Sequence, residues 1–428
     1  MRVYIESYGC AMNMADGRLM AELLAEAGHT LVDGPEEADV IILNTCTVRS
    51  DTERRMIKRL RELVRHGKKL IVAGCLPAAQ PGVVYKISRD ISMISARAVE
   101  AIREVVEADG PVYILDARPR RCLPRLLDGV KITIPIAEGC LGSCAYCIVR
   151  VARGPLRSYR PEAIVRAVEE AVRKGAREVR LTAQDTGVYG RDIGTNLAEL
   201  LEAVCEIEGD FMVRVGMMNP NAALLILDEL LDAYEDPKIY KFLHLPVQTG
   251  DDGLLKAMRR GYTVGDFLTV VGAFRKRFPE LCLATDIIVG LPGEDEEAFK
   301  RSVELLERVK PDKVHVARYT PRPHTRAASM PRQVPEPEKK RRSRIISSLA
   351  LKMGLERNLR LVGKRLRCLV VGLGREPGQL EARATNYKPV YLRGQEGLLG
   401  AFLELEVTGA GPYYLLGRPL DGPPSAGG

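Results

Sequence analysis

The chain contains 428 residues, a length that favours two or three domains. No apolar run approaches the roughly 18 residues of a membrane span, and the amino terminus resembles a strand rather than a signal peptide. We therefore expect a cytoplasmic protein without membrane contacts. Ten cysteines in a reducing compartment indicate metal ligation rather than disulfides. The net charge of +8 is uneven: residues 321–368 hold 14 Lys and Arg against 3 Asp and Glu, which favours either a polyanionic partner or a solvated linker helix.

Residues 1–118 alternate apolar strands with helices, a pattern that predicts a parallel α/β sheet covered on both faces. Three predicted strands, RVYIES, DVIILNT and KLIVAG, are followed closely by Cys10, Cys46 and Cys75. Ligands of such sheets lie outside the carboxyl ends of the strands. A single cysteine at this edge would be interpreted as a packing residue, but three together predict the ligands of a metal cluster.

A second α/β series occupies residues 129–355, after a segment rich in Pro and Arg. Six strand–helix units predict a partial TIM-like (β/α)6 barrel, whose active residues gather at the carboxyl ends of the strands. The predicted strands are KITIPIA, EVRLTA, FMVRVGM, KIYKFLHLPV, LCLATDIIV and DKVHVARY. After a basic helix, period-two apolar runs over residues 358–420 predict a small antiparallel β-barrel.

A CxxxCxxC triplet, formed by Cys140, Cys144 and Cys147, follows the first predicted strand of the partial barrel. Three thiolates on a tight loop can ligate three irons of a 4Fe–4S cube and leave the fourth iron open. A zinc site or a ferredoxin-like cluster would need a fourth ligand nearby, and the next cysteine is Cys205. The triplet therefore favours an open catalytic cluster. The cysteines outside the two sets of three are interpreted as packing residues: Cys122, Cys205, Cys282 and Cys368.

The CxxxCxYC motif in this position resembles the radical S-adenosylmethionine (SAM) superfamily. In that superfamily the open iron chelates SAM, which an electron cleaves to a 5′-deoxyadenosyl radical. Together with Cys10, Cys46 and Cys75 and a terminal segment that resembles a TRAM domain, the chain is similar to the radical SAM methylthiotransferases. The resemblance implies a transferase with SAM and two 4Fe–4S clusters, the second of which carries the sulfur to be inserted. It also implies an RNA-binding terminal barrel and an electron donor such as a ferredoxin or flavodoxin.

Three branches of that family differ in substrate: isopentenyladenosine in tRNA, an aspartate of a ribosomal protein, or N6-threonylcarbamoyladenosine at tRNA position 37. The first two branches commonly carry proline where this chain has Arg150, and the pattern through Arg153 most resembles the third. We therefore predict methylthiolation of threonylcarbamoyladenosine at C2 in the tRNA anticodon loop. Arg150 and Arg153 are candidate contacts to the substrate carboxylate, with loop packing or phosphate contacts as the alternative. A non-catalytic iron–sulfur RNA-binding protein or redox sensor is the alternative from another class.

Residues around SAM are predicted from similar enzymes and from positions at strand ends. The backbone of Tyr146 would lie near the adenine. Five further residues would line the rim: Gln184, Asp185, Gln248, Asp286 and Gly290. His244 lies in the middle of a predicted strand and is interpreted as a core histidine rather than a ligand.

Overall fold

The structure, a computed structural model, describes residues 1–48, 50–118 and 120–420. The first domain is a six-stranded, fully parallel sheet in the order β2–β1–β3–β4–β5–β6. Its strands are β1 (Arg2–Ser7), β2 (Thr30–Leu31), β3 (Val40–Thr45), β4 (Lys69–Gly74), β5 (Ser92–Ser95) and β6 (Tyr113–Ile114). Its helices are α1 (Ala11–Glu26), α2 (Ser50–Val64), α3 (Cys75–Ala79), α4 (Pro81–Tyr85) and α5 (Ile102–Glu107).

Strand β3 shows why the apolar runs of this domain are continuous. Val40 and Ile42 pack with α1 and α5 on one face, whereas Ile41 and Leu43 pack with α2 on the other. Both faces of a covered parallel sheet are buried, so each strand needs apolar residues at every position. The three strands predicted from sequence are β1, β3 and β4, and the three that were not predicted have at most four residues each.

The second domain contains the six predicted parallel strands as two sheets, ordered β11–β10–β7 and β12–β13–β14, which an isolated bridge between Val213 and Ile239 connects. Its strands are β7 (Lys131–Pro135), β8 (Ala137–Glu138), β9 (Arg157–Ser158), β10 (Glu178–Thr182), β11 (Met212–Val215), β12 (Phe242–His244), β13 (Cys282–Val289) and β14 (Lys313–Arg318). Its helices are α6 (Val149–Arg153), α7 (Pro161–Arg173), α8 (Leu197–Cys205), α9 (Pro220–Leu224), α10 (Leu227–Ala233), α11 (Asp252–Ala257), α12 (Val264–Arg277), α13 (Glu296–Val309) and α14 (Glu336–Leu359).

The terminal domain is a closed barrel in the order β15–β16–β17–β19–β18. Its strands are β15 (Arg365–Leu373), β16 (Gln379–Ala384), β17 (Pro389–Arg393), β18 (Phe402–Ala410) and β19 (Leu415–Pro419). The predicted antiparallel pairing holds for four contacts, but β17 and β19 pair in parallel. A closed ring with an odd number of strands cannot alternate direction throughout, so one parallel pair is required.

The terminal barrel closes the amino end of the partial TIM-like barrel. Leu369, Val371 and Tyr387 pack there against Tyr240 and Phe242. Helix α14 runs alongside from the carboxyl ends of the barrel strands to this junction, where the Asn358 amide donates to the carbonyl of Gly411 over 2.8 Å. None of the helices in the described ranges has the length and apolarity to cross a membrane.

Two helical glycines provide a matched test of this junction. A methyl group on Gly354 of α14 would collide with the carbonyl oxygen of Pro412, whereas one on Gly272 of α12 would meet nothing within 4 Å. We expect Gly354→Ala to lower the free energy of unfolding by about 1–3 kcal/mol and Gly272→Ala to raise it by up to about 1 kcal/mol. Urea unfolding of both variants measures the difference; equal stability of the two would contradict the packing described here.

Candidate active site between two cysteine clusters

The loop after β8 holds Cys140, Cys144 and Cys147. It can turn tightly because Gly139 has a φ of +71°, and a side chain there would collide with the carbonyl of Pro155. A Cβ atom on Gly142 would lie 3.3 Å from Sγ of Cys140 and 3.5 Å from Sγ of Cys144, so these two sulfurs flank the glycine. Burial raises the pKa of the Cys147 thiol to about 12. Such a thiol becomes a thiolate near neutral pH when a metal replaces its proton.

A polar network connects this loop to the ends of two strands, β10 and β11. Arg260 donates to Sγ of Cys144 over 2.8 Å and also bonds the side-chain oxygen of Asn219. Asn219 in turn donates to Asp185, from its backbone over 3.1 Å and from its amide over 2.5 Å. The Arg260 guanidinium also lies 5.9 Å from the ring centre of Tyr146, which places the predicted Tyr146 and Asp185 in one site.

Sequence reasoning missed Arg260 and Asn219. Asn219 follows β11 in the MNP segment and could have been found by its place at a strand end. Arg260 follows α11, far from any strand end, and its sequence context carries no comparable signal.

Gln184, Gln248 and Gly290 lie at strand ends around this network. The side-chain oxygen of Gln184 is buried and has no hydrogen-bond partner among the described residues, so it is available as an acceptor. Gln248 has a φ of +73°, a strained conformation for a residue with a side chain. Its backbone N–H donates to the carbonyl of Asp286 over 2.8 Å, which ties the loop after β12 to β13.

Gly290 also has a left-handed backbone, and the aliphatic chain of Lys339 from α14 occupies the space of a Cβ atom. The N–H group of Gly290 donates to Glu294 over 2.5 Å, and Arg342 of α14 pairs with the same carboxylate over 3.0 Å. Lys339 and Arg342, two cations of the basic region, are therefore used to support the rim of the site within the protein.

Asp286 lies elsewhere than predicted, because its side chain points into the barrel rather than to the rim. Its Oδ1 atom is 2.9 Å from Nε2 of His244 and 2.8 Å from Nδ1 of His315. Although burial raises the pKa of Asp286, the hydrogen bonds from both histidines hold it below its ordinary value. His244 is therefore hydrogen-bonded, but it lines the barrel interior rather than the apolar core, and together with Asp286 and His315 it forms a group close enough to hold one metal ion.

Cys10, Cys46 and Cys75 meet at the carboxyl edge of the first sheet, as their positions predict. Sγ of Cys75 lies 3.6 Å from the side-chain oxygen of Asn13, and Sγ of Cys10 lies 4.0 Å from the same oxygen. A Cβ atom on Gly9 would lie 3.3 Å from Sγ of Cys46. Cys10 also stands at the N-cap position of α1.

The described cysteines of each set are too widely spaced for one ion. In neither set do all three sulfurs lie within 4.8 Å of one another. This spacing disfavours a single zinc ion and fits a larger iron–sulfur cluster. Burial raises the pKa of Cys75 to about 12, and the guanidinium of Arg153 beside it acts in the opposite direction. Nη1 of Arg153 is buried without a hydrogen-bond partner in the described chain, and such a donor fits a sulfur-rich anionic group held here.

Arg153 is not placed to meet a substrate, which corrects the prediction from sequence. It is 3% exposed and donates to Asn13 over 2.7 Å and to Asp16 over 2.6 Å, both in the first domain. Arg120 also contacts Asp16, over 2.7 Å, and pairs with Glu138. We call Asp16, Arg120, Glu138 and Arg153 the interdomain ion network.

Arg150 remains exposed and makes the loop contact that was the alternative interpretation. Its guanidinium lies 3.4 Å from the carbonyl oxygen of Leu141 and 3.3 Å from that of Gly142, so it braces the loop between Cys140 and Cys144.

The two arginines of α6 provide a matched pair for a stability test. Arg153→Met leaves Asp16 and Glu138 with incomplete partners in a buried interface, so we expect a loss of about 3–5 kcal/mol in the free energy of unfolding. Arg150→Met removes only an exposed brace and should change that free energy by less than about 0.5 kcal/mol. Denaturant unfolding of the iron-free proteins compares them, and an unaffected Arg153 variant would contradict the role of the network.

Comparison with known protein families identifies the superfamily to which this site belongs. The Radical SAM superfamily matches residues 134–306, the uncharacterized protein family UPF0004 matches residues 2–95, and the TRAM domain matches residues 359–420. A solved radical SAM methyltransferase, TsrM from Kitasatospora setae, superposes with a TM-score of 0.56 at 15% identity, covering 89% of this chain and 80% of that chain. This likeness shows the fold alone. Because the chain belongs to the radical SAM superfamily, its cofactors are SAM and an iron–sulfur cluster.

Relatives that match along nearly the whole chain identify the family within this superfamily. A relative from Pyrococcus horikoshii is 48% identical over 425 residues, covering 98% of this chain and 99% of its own, and one from Methanocaldococcus jannaschii is 42% identical over 422 residues, covering 98% and 97%. Both are named probable threonylcarbamoyladenosine tRNA methylthiotransferase. A human relative, named threonylcarbamoyladenosine tRNA methylthiotransferase, is 33% identical over 436 residues, covering 98% of this chain and 74% of its own. The chain therefore belongs to the threonylcarbamoyladenosine tRNA methylthiotransferase family of radical SAM enzymes.

Proposed function

We propose that this chain inserts a methylthio group at C2 of N6-threonylcarbamoyladenosine 37 in tRNA, using one 4Fe–4S cluster at Cys140, Cys144 and Cys147 and a second at the other set of three cysteines. The observation that carries the proposal is the close linkage of the two sets. Helix α6 begins just after Cys147 and ends at Arg153, whose guanidinium lies beside Cys75. Radical formation and sulfur delivery would thus take place across one interface.

The residues of the rim would prepare SAM for cleavage. When bound, the cluster and SAM supply the radical that activates the adenine ring. Arg260 places positive charge beside the Cys144 sulfur, and Asp185 and Asn219 hold that guanidinium in place. The free oxygen of Gln184 and the strained turn at Gln248 give the rim polar groups that could orient the cofactor.

A tRNA partner is supported by the TRAM match and by the names of the relatives. A ferredoxin or flavodoxin would be a suitable electron donor.

The basic region over 321–368 divides into two groups. Lys339, Arg342 and Arg322 are buried, and Arg322 pairs with Glu53 of the first domain over 3.1 Å. Lys340 and Arg344 are exposed and remain available for phosphate contacts.

Cysteine variants separate the two cluster roles. Cys144→Ala should abolish formation of 5′-deoxyadenosine from SAM, because one ligand of the open cluster is removed. Cys46→Ala should permit SAM cleavage but prevent methylthiolation. Each variant should hold about half of the wild-type iron after reconstitution. Mass spectrometry of tRNA nucleosides, with 5′-deoxyadenosine and iron assays, measures these outcomes; normal methylthiolation by Cys46→Ala would refute the two-cluster assignment.

Exposed cations of α14 allow a test of RNA binding. The double variant Lys340→Ser/Arg344→Ser removes two candidate phosphate contacts. We expect weaker tRNA binding and a decrease of about 1.5 in the slope of log affinity against log salt concentration. Arg166→Ser/Arg173→Ser on the outer helix α7 changes charge equally and should leave the slope unchanged. Fluorescence anisotropy over a salt series measures both; equal slopes for the two double variants would remove α14 from the RNA-binding surface.

A further inference from the structure

The interior of the partial TIM-like barrel is polar and open. Along β10, Val179 and Leu181 pack outward in the core formed with the helices, so Arg180 between them faces inward. Asp286 and His315 are neighbours on β13 and β14, and their side chains keep 26% and 33% exposure. Barrels of this type normally fill their interior with branched apolar side chains. We call the space lined by these inward residues the lumen.

Two cations in the lumen have no carboxylate partner. Arg180 pairs with Glu178 over 2.5 Å, and Asp286 is shared by two histidines. Arg214 and Lys313, in contrast, form no ion pair or hydrogen bond within the described part of the chain. The lumen therefore carries positive charge that the protein does not neutralise.

The surroundings of Arg214 raise the free-energy cost of leaving its positive charge without an anionic partner. Its guanidinium lies 5.2 Å from the ring centre of Phe242 and 5.8 Å from that of Tyr387, at the closed end of the lumen. Burial, and the nearby charge of Arg180, lower the pKa of Arg214. The pKa of Lys313 is lowered by loss of hydration and then by the charges of Arg383 and Arg214. Cations held together in this way favour an anionic ligand.

Strand β13 relates these cations to the reaction site. Ile288 packs with Ala145 and Tyr146 of the cluster loop. Asp286 is one inward position below Ile288, and Ala284, which pairs with Lys313, is one further below. Each step of two residues is about 7 Å. The cations thus lie about 14 Å or more beneath the cluster loop, so a base that enters the lumen below that loop can place its N6 substituent near them.

We propose that Arg214 and Lys313 bind the carboxylate of the N6-threonylcarbamoyl group. This inference rests on the proposed function, because it assumes that the target adenine is held beside the cluster at Cys140, Cys144 and Cys147. The threonylcarbamoyl group attaches threonine through its nitrogen and leaves its carboxylate free, so it presents one negative charge to two unpaired cations. An isopentenyl group would leave the Arg214 guanidinium without an anionic partner, and that cost discriminates between the two modified adenosines.

The test compares two RNA substrates on full-length enzyme reconstituted with iron and sulfide. One is an anticodon stem-loop with threonylcarbamoyladenosine 37, and the other is the same RNA with the carboxylate converted to its methyl ester. Wild-type enzyme should prefer the free acid, in kcat/KM for methylthiolation, by about 10- to 100-fold, the range of one charged hydrogen-bonded contact. Arg214→Met should lose that preference by raising KM for the acid, and Arg214→Lys should retain part of it.

Controls separate this inference from the proposed function. Iron content and the visible spectrum report whether each variant folds and loads its clusters. If Arg214→Met does not fold, Lys313→Met tests the same site, because its exposed side chain contributes little packing. Arg173→Met on the outer surface should keep the wild-type preference. Full preference in both Arg214→Met and Lys313→Met would overturn the carboxylate site while leaving the function intact. If wild-type enzyme methylthiolates neither RNA, the proposed function falls and the carboxylate site falls with it.

Discussion

The interdomain ion network determines how the first sheet sits on the partial barrel. Arg153 belongs to the second domain, and Arg120 belongs to the segment that leads into it. Both side chains contact Asp16 of α1 in the first domain. Burying such charges costs desolvation energy, which is offset only when the geometry and hydrogen bonds are good. A shifted docking of the two domains would leave at least one of these charges unpaired. The network therefore selects one arrangement, and that arrangement brings Cys75 beside the helix that follows Cys147.

The two faces of the barrel strands serve different purposes. Outward residues such as Val179 and Leu283 pack with the helices and supply the apolar burial that folding needs. Inward residues are freed from that task because the terminal barrel closes the amino end of the lumen. Polar side chains such as His244 and Arg214 can therefore line the interior, where they are positioned by strands rather than by mobile loops.

Local patterns explain what could be predicted from sequence. Strand periodicity predicts the six barrel strands, and the rule that ligands gather at the carboxyl ends of strands predicts that Cys10, Cys46 and Cys75 lie close together. The fate of Arg153 depended on Asp16, which is 137 residues away, and no local pattern reports such a contact. The same holds for Lys339 and Arg342, whose sequence context suggests a solvated basic helix although both are buried against the rim. Asp286 was placed at the right strand but too near its end, because its inward direction depends on register.

Helix α14 has 24 residues, a length of about 36 Å. One end is fixed to the rim through Lys339 at Gly290, and the other is fixed to the terminal barrel through Asn358. A rigid connection of this kind sets a constant separation between the reaction centre and any RNA contact on the terminal barrel. A free nucleoside can engage only the first of these points. The shortest RNA that benefits from both must bridge that separation, so substrate length itself becomes a criterion of selection.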